Sequence, residues 1–82
     1  MKISVIGTGY VGLVSGVCLA AKGHDVVCVD VDESKVAGIN AGDPPIYEEH
    51  LEELLKDVLT KGFSVTTDLR KAIHESDLSL IA

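Results

Sequence analysis

A glycine-rich turn between an apolar strand and a helix is the feature that most constrains how this chain can fold. Residues 2–6 form an apolar run, which is followed directly by Gly7-Thr8-Gly9-Tyr10-Val11-Gly12. A small-residue helix comes next, and then a second apolar run that ends at Asp30, about 20 residues past the last glycine. A GxGxxG sequence alone occurs by chance in many chains. With the strand, the helix and the acid at this spacing, it predicts a βαβ unit that holds a dinucleotide.

The glycines of this turn have separate tasks. Gly7 lets the chain turn sharply off the first strand, Gly9 lets the backbone approach a pyrophosphate, and Gly12 lets the helix lie close to the sheet. The free N–H groups around Gly9 to Val11 and the positive end of the helix dipole then favour phosphate oxygens. Gly16, on the same helical face as Gly12, is expected to serve close packing only.

Asp30 indicates NAD as the cofactor and not NADP. Its carboxylate is placed to accept hydrogen bonds from the adenosine ribose hydroxyls, and its charge would repel a 2′-phosphate. No arginine follows directly to neutralise such a phosphate. In the alternative, the glycines are only turn residues and Asp30 is an ordinary strand-end acid. That interpretation is disfavoured because all four positions fall where the motif requires them.

Size and charge limit the other possibilities. The chain has 82 residues, a net charge of −6 and no basic cluster, so nucleic-acid binding is not expected. A chain of this length buries only about 60% of its unfolded surface, so an isolated fold would be marginal. Residues 78–82 read as a strand at the chain end. We therefore expect the N-terminal part of an NAD-binding domain, truncated after the fourth strand, with the catalytic and substrate domains absent.

Targeting and metal signals are not found in the sequence. Met1-Lys2 leads straight into the first strand, and residues 11–21 are too short and too glycine-rich to span a membrane, so a cytoplasmic location is expected. Cys18 and Cys28 are expected to be buried small hydrophobes. The three histidines show no ligand spacing, and no metal site is predicted.

Hydrophobic periodicity predicts an alternation of strands and helices. Strands are expected at residues 2–6, 25–29, 63–66 and 78–82, and helices at 10–22, at 33–40 after an Asp32 cap, from 51 to Gly62, and after an Asp68 or Thr67 cap with Leu69, Ala72 and Ile73 facing inward. This order implies an α/β fold with a Rossmann-like, doubly wound parallel sheet and right-handed crossovers.

Beyond this motif, the chain resembles the N-terminal portion of the UDP-glucose/GDP-mannose dehydrogenase family. The resemblance rests on residues 1–17 (MKISVIGTGYVGLVSGV), 27–35, 40–54 (NAGDPPIYEEHLEEL) and 63–82, and covers essentially the whole chain. Pro45-Ile46-Tyr47-Glu48 separates this family from other nicotinamide-binding folds. The family usually continues with Pro-Gly after the Tyr-Glu pair, whereas Glu49-His50 stands at those places here.

The resemblance implies a cofactor site and an activity. The site would comprise Gly7, Thr8, Gly9, Tyr10, Val11 and Gly12, with Val11 near the pyrophosphate, together with Asp30. Lys35 matches a basic position that contacts the adenosine end, although an ordinary solvated helix lysine is an equal alternative. Enzymes of the family oxidise a sugar C6 alcohol to a carboxylate in two NAD-dependent steps through cysteine-bound intermediates.

For this chain the resemblance implies the oxidation of UDP-glucose to UDP-glucuronate for polysaccharide precursors, with GDP-mannose as the alternative substrate, in a homo-oligomer of the longer protein. The catalytic residues lie downstream in the family, so no catalytic residue is expected here, and neither cysteine is a candidate nucleophile. One rival is a non-catalytic nucleotide sensor of the potassium-channel regulatory type. Another is a different dehydrogenase, acting on hydroxyacyl-CoA or 6-phosphogluconate. The Pro-Ile-Tyr-Glu loop speaks against both.

Overall fold

Four parallel strands form a single sheet in the order β3-β2-β1-β4, which confirms the predicted α/β class. The computed structural model describes residues 1–45 and 48–82. The elements in chain order are β1 Lys2–Ile6, α1 Tyr10–Ala21, β2 Asp25–Val29, α2 Glu33–Asn40, α3 Leu51–Val58, β3 Phe63–Thr66, α4 Leu69–Glu75 and β4 Leu78–Ile81.

One face of the sheet carries the hydrophobic core. Side chains alternate between the two faces of a strand, so Ile3 and Val5 of β1 share a face, and they pair in register with Val26 and Cys28 of β2. Against this face pack the apolar sides of α1 and α3, with α2 contributing Ile39. The buried members contributed by α1 and α3 are Leu13, Val17, Ala20, Leu51, Leu55 and Val58.

Gly16 brings α1 against the sheet. A Cβ atom at this position would lie 2.7 Å from Cys28 Sγ and 3.3 Å from a ring carbon of Phe63. Any larger residue would therefore push the helix away from β2 and β3. The predicted packing role of Gly16 is confirmed.

Asn40, the last residue of α2, covers part of the free edge of β3. Its Nδ2 donates to Val65 O at 2.8 Å, and its Oδ1 accepts from Val65 N–H at 3.0 Å. The side-chain amide thereby takes the place of a neighbouring strand at one register position. An edge strand otherwise presents unpaired backbone groups, so this contact also joins α2 to the sheet.

The other face of the sheet carries α4, and here part of the prediction is wrong. Ala72 is buried, but Leu69 and Ile73 are 45% and 47% exposed. The helix contacts β1 and β2 through its smallest side chain, and successive helical residues are rotated by about 100°. The two larger side chains therefore lie at the margins of the contact.

The prediction for Cys18 is also wrong, because this side chain is exposed whereas Cys28 is buried. The buried positions of α1 follow a helical stripe through Leu13, Gly16, Val17 and Ala20. Cys18 is rotated away from that stripe. Apolar neighbours in the sequence did not reveal which face the residue occupies.

Most predicted boundaries are confirmed, and the differences lie at element ends. Strand β4 ends at Ile81 and not at Ala82 as predicted. Helix α1 ends at Ala21, and Lys22, predicted as its last residue, is its C-cap. Helix α3 stops at Val58, before Gly62. Its end is tightened by bonds over three residues, from Thr60 N–H to Asp57 O and from Lys61 N–H to Val58 O.

The entry into α3 contains an unusual backbone conformation. His50 is the N-cap of the helix and has φ +68°, in the left-handed region. It is the one described residue other than glycine with positive φ. The position is where the family resemblance places glycine. Ile46 and Tyr47, at the centre of the loop that distinguishes the family, lie outside the described residues.

Candidate cofactor-binding site

The glycine-rich loop and Asp30 meet at the carboxyl ends of adjacent strands. β1 pairs with β2, and the first residue after β1 is tied to the last of β2 by a 2.8 Å hydrogen bond from Gly7 N–H to Val29 O. In a doubly wound sheet, the crevice outside these strand ends is where ligands bind. The structure therefore brings the two halves of the sequence motif together.

The shape of the loop depends on Gly7 and Gly12. Gly7 has φ +107°, a conformation that residues with a side chain rarely adopt. A Cβ atom on Gly12 would lie only 2.2 Å from Gly7 O and 3.0 Å from Ala82 Cβ. Gly12 thus permits the start of α1 to pack against the loop itself, while Gly16 makes the closest approach to the sheet.

Gly9 differs from these two glycines. Its φ of −64° and ψ of −179° are open to any residue. A Cβ atom added here would meet no heavy atom of the described residues within 4 Å. Neither backbone strain nor crowding inside the chain explains a glycine at this position. The open space is what a phosphate approaching the backbone would occupy.

Backbone N–H groups that have no partner among the described residues border this space. The first bond of the α1 ladder runs from Leu13 N–H to Gly9 O at 2.9 Å, so the N–H groups of Gly9, Tyr10 and Val11 precede the ladder. No acidic residue lies in the first turn of the helix. The start of α1 therefore carries no acidic side chain of its own, and its dipole favours an anion such as a pyrophosphate.

Asp30 is held by three hydrogen bonds at the end of β2. Its Oδ2 accepts from the hydroxyl of Thr8 and, at 3.3 Å, from Thr8 N–H. Its Oδ1 accepts from Asp32 N–H at 3.0 Å. The Thr8 hydroxyl first, then the Asp32 N–H, lower the pKa of Asp30 below its ordinary value, against a smaller opposing effect of burial. The carboxylate is therefore ionised at neutral pH.

Lys35 lies beside this carboxylate. Its Nζ is 3.7 Å from Asp30 Oδ2, and its side chain is 33% exposed. The predicted Asp32 cap orients the helix that carries it, because Asp32 Oδ1 accepts from the N–H groups of Ser34 and Lys35. Lys35 thus lies beside the acid that follows β2, and its positive charge adds to the lowering of the Asp30 pKa.

Tyr10 and Val11 lie at the mouth of the crevice, 52% and 67% exposed. Glu48 raises the pKa of the Tyr10 hydroxyl, chiefly through a side-chain hydrogen bond and then through its negative charge. The residue that closes the Pro-Ile-Tyr-Glu loop therefore acts on the hydroxyl of the first helical residue after the nucleotide loop. The sequence placed both residues in motifs, but it did not predict this influence.

The Thr8–Asp30 bond was also missed. The sequence predicted Thr8 as one of the cofactor-binding residues of the loop and did not predict its bond to Asp30. A usable signal was present, since a hydroxyl side chain two residues after one parallel strand can reach the acid that follows the neighbouring strand. Thr8 is 1% exposed, so its side chain belongs to the interior of the site.

Cysteine and metal chemistry find no support in the described residues. Burial raises the pKa of the Cys28 thiol to about 12. No group of three or more His, Cys, Asp or Glu within residues 1–45 and 48–82 is placed to hold a metal ion. Over the same ranges, none of the helices has both the length and the apolar character needed to cross a bilayer.

Comparison with known proteins agrees with this site. Residues 1–82 match the NAD binding domain of the UDP-glucose/GDP-mannose dehydrogenase family. The chain is 51% identical over 83 residues to a UDP-glucose 6-dehydrogenase of Rhizobium meliloti, covering 100% of this chain and 19% of that protein. It is 51% identical over 82 residues to a GDP-mannose 6-dehydrogenase of Pseudomonas savastanoi pv. phaseolicola, covering 99% of this chain and 19% of that protein.

A solved structure agrees in fold. The crystal structure of a ternary complex of GDP-mannose dehydrogenase from Pseudomonas aeruginosa superposes with a TM-score of 0.95 at 48% identity. The match covers 100% of this chain and 19% of that one. The chain thus spans about a fifth of the length of each of these three relatives.

Proposed function

Because the chain belongs to the UDP-glucose/GDP-mannose dehydrogenase family, as its NAD binding domain, we propose that it is the N-terminal part of a longer nucleotide-sugar 6-dehydrogenase. The longer protein would oxidise the C6 alcohol of UDP-glucose to the carboxylate of UDP-glucuronate. GDP-mannose is the alternative substrate, since the chain is equally identical to relatives of both kinds. The described residues supply the cofactor half of this chemistry.

The open space at Gly9 is the observation that carries the proposal. An added Cβ would meet nothing of the described chain within 4 Å, and the backbone angles do not require glycine. The space is bordered by N–H groups at the start of α1, which favour negative charge. In the proposed complex these groups hold the pyrophosphate, and a side chain at position 9 would occupy its place.

Asp30 is proposed to hold the adenosine ribose. Its Oδ1 accepts one hydrogen bond, from Asp32 N–H, so a lone pair is left for a ribose hydroxyl. The negative charge disfavours a 2′-phosphate, and Lys35 lies on the Oδ2 side. When bound, NAD accepts a hydride at its nicotinamide ring. The part played by this chain is to bind and orient the adenosine half.

The nucleophile that the family uses is proposed to lie outside this chain. The thiolate is the reactive form of cysteine, and burial holds Cys28 as the neutral thiol, with a pKa of about 12. Cys18 is exposed on α1, which connects β1 to β2 and does not end in the crevice. Neither residue has the surroundings of an activated nucleophile.

Calorimetric titration of the full-length protein with NAD and with NADP tests the cofactor site, because the 82-residue chain alone is expected to bind NAD weakly or not at all. In the full-length protein we expect saturable binding of NAD, weaker binding of NADP, and loss of this preference in Asp30→Ala. Gly9→Val should abolish binding while circular dichroism stays unchanged, because the new side chain enters open space. Gly38→Ala is a matched control, since a Cβ there has no neighbour closer than 3.5 Å and lies away from the loop. Unaltered NAD affinity in Gly9→Val would contradict the assignment of the pyrophosphate site.

Turnover of the full-length protein tests the activity. We expect two NADH for each UDP-glucose consumed and slower reaction with GDP-mannose. Faster reaction with GDP-mannose would reverse the substrate assignment. NAD binding with no turnover of either sugar nucleotide would favour the non-catalytic sensor.

Three further properties of the full-length protein stay predictions: cytoplasmic location, homo-oligomeric assembly and a role in polysaccharide precursor synthesis. Cell fractionation would check the location, and light scattering would check the assembly.

A further inference from the structure

Thr8 faces the interior of the site and not the open crevice. It is 1% exposed, whereas Tyr10 and Val11 of the same loop are 52% and 67% exposed. Both of its donors, the hydroxyl and the backbone N–H, bond to the same oxygen of Asp30. The side chain of Thr8 is therefore committed to the carboxylate and is not free to donate to a phosphate.

These bonds determine which part of the carboxylate is left for a ligand. A carboxylate offers about four lone-pair sites. Thr8 uses two donors on Oδ2, and Lys35 Nζ approaches the same oxygen at 3.7 Å. Asp32 N–H takes one site on Oδ1. The remaining acceptor capacity is therefore on Oδ1, and the carboxylate is fixed from both oxygens before any ligand arrives.

We propose that Thr8 is a positioning residue that holds Asp30 in the orientation needed to accept the ribose hydroxyls and to exclude a 2′-phosphate. The inference rests on the proposed function, because it assigns to Asp30 the role of selecting the cofactor. It differs from the role that the motif implies for Thr8, which is direct contact with the bound dinucleotide. Thr8 acts through Asp30 alone.

The electrostatics of the site agree with this role. The Thr8 hydroxyl is the largest cause that lowers the pKa of Asp30. The groups that face Asp30 in the described chain are Thr8 on the loop, the Asp32 N–H and Lys35 on α2. The Asp32 carboxylate is itself engaged with the N–H groups of Ser34 and Lys35. Without the Thr8 hydroxyl, Asp30 would keep the hydrogen bonds from the N–H groups of Thr8 and Asp32 and the nearby charge of Lys35.

A double-mutant cycle in the full-length protein tests the proposal. Thr8→Val keeps the shape of the side chain and removes its donor, while Thr8→Ser keeps the donor. We expect Thr8→Val to lower NAD affinity by about tenfold, the equivalent of one hydrogen bond to a charged group. Thr8→Val should also reduce the ratio of NAD affinity to NADP affinity. Thr8→Ser should restore both the NAD affinity and this ratio. In an Asp30→Ala background, Thr8→Val should have no further effect.

The outcomes separate this inference from the proposed function. If Asp30→Ala leaves NAD affinity unchanged, the ribose assignment itself is wrong. If Asp30→Ala weakens NAD binding and Thr8→Val weakens it by the same factor in both backgrounds, Thr8 contacts the cofactor directly and only the positioning role is overturned.

A second readout needs no ligand. The NMR titration of the Asp30 carboxyl carbon should move to higher pH in Thr8→Val and return in Thr8→Ser, and an unmoved titration would overturn the proposal.

Discussion

Replacing His50 with glycine should stabilise this protein. His50 caps α3 with φ +68°, and a residue with a Cβ atom in the left-handed region costs about 1–2 kcal/mol. Glycine removes that strain but gives the unfolded chain more conformational freedom, which lowers the stability by about 0.4–1 kcal/mol. The balance is a stabilisation of about 0.5–1 kcal/mol, or a Tm higher by about 3–6 °C in a domain of this size.

Thermal unfolding followed by far-UV circular dichroism measures this shift, and two variants isolate its cause. The imidazole of His50 lies 3.3 Å from a Glu49 oxygen and 3.8 Å from a Glu53 oxygen. His50→Ala removes these contacts but keeps a Cβ atom in the strained conformation, so it should not raise the Tm. Ala37→Gly, at an exposed position within α2, should lower it, because glycine inside a helix costs about 1 kcal/mol.

A Tm of His50→Gly equal to or below that of the parent would contradict the relief of backbone strain. Equal stabilisation in His50→Ala and His50→Gly would also contradict it, since the effect would then come from lost side-chain contacts. The expected result would explain in physical terms why the family resemblance places Pro-Gly where this chain has Glu49-His50. The backbone conformation of that turn favours glycine, and the chain carries the strain at a site outside the nucleotide loop.

Three further results follow from the packing. Gly16→Ala should destabilise the fold by about 1–3 kcal/mol, because the new Cβ falls 2.7 Å from Cys28 Sγ. In chemical denaturation, Gly16→Ala should cost less stability in a Cys28→Ala background. Strictly additive losses of stability in the double variant would contradict the contact. Asn40→Ala should cost about 1–2 kcal/mol by leaving both backbone groups of Val65 without their amide partner, whereas an unchanged midpoint of denaturation would show that water replaces it. Alkylation should label Cys18 in the folded chain and Cys28 only in denaturant, as read by mass spectrometry, since Cys28 is buried with a thiol pKa of about 12. Equal labelling of the two cysteines in the folded chain would contradict the difference in burial.

The cofactor motif could be predicted because each of its parts is local. The strand before Gly7, the helix after it and the acid at position 30 follow from apolar runs and from the backbone freedom of glycine. The parallel sheet then follows, since strand–helix–strand connections of this length form right-handed crossovers. The capping of α2 by Asp32 was readable for the same reason, because an N-cap bonds to the next few residues.

The contacts that organise the site are not local, and they were not predicted from the sequence. Thr8 and Asp30 meet because β1 and β2 are neighbours in the sheet, and Asn40 reaches Val65 because α2 lies beside the edge strand. Which residues face one another depends on strand order and helix placement, which are properties of the whole fold.

Burial shows the same division between sequence and structure. Periodicity identified Leu69 and Ile73 as apolar positions of α4, but the helix approaches the sheet through Ala72, and the two larger side chains remain nearly half exposed. By itself, the sequence determined the α/β class, the cofactor motif and the order of the elements, because these depend on backbone propensity and hydrophobic period. Only the tertiary structure decided which side chains are buried, what holds Asp30 and where the backbone is strained, because packing distributes those constraints among residues distant in the chain.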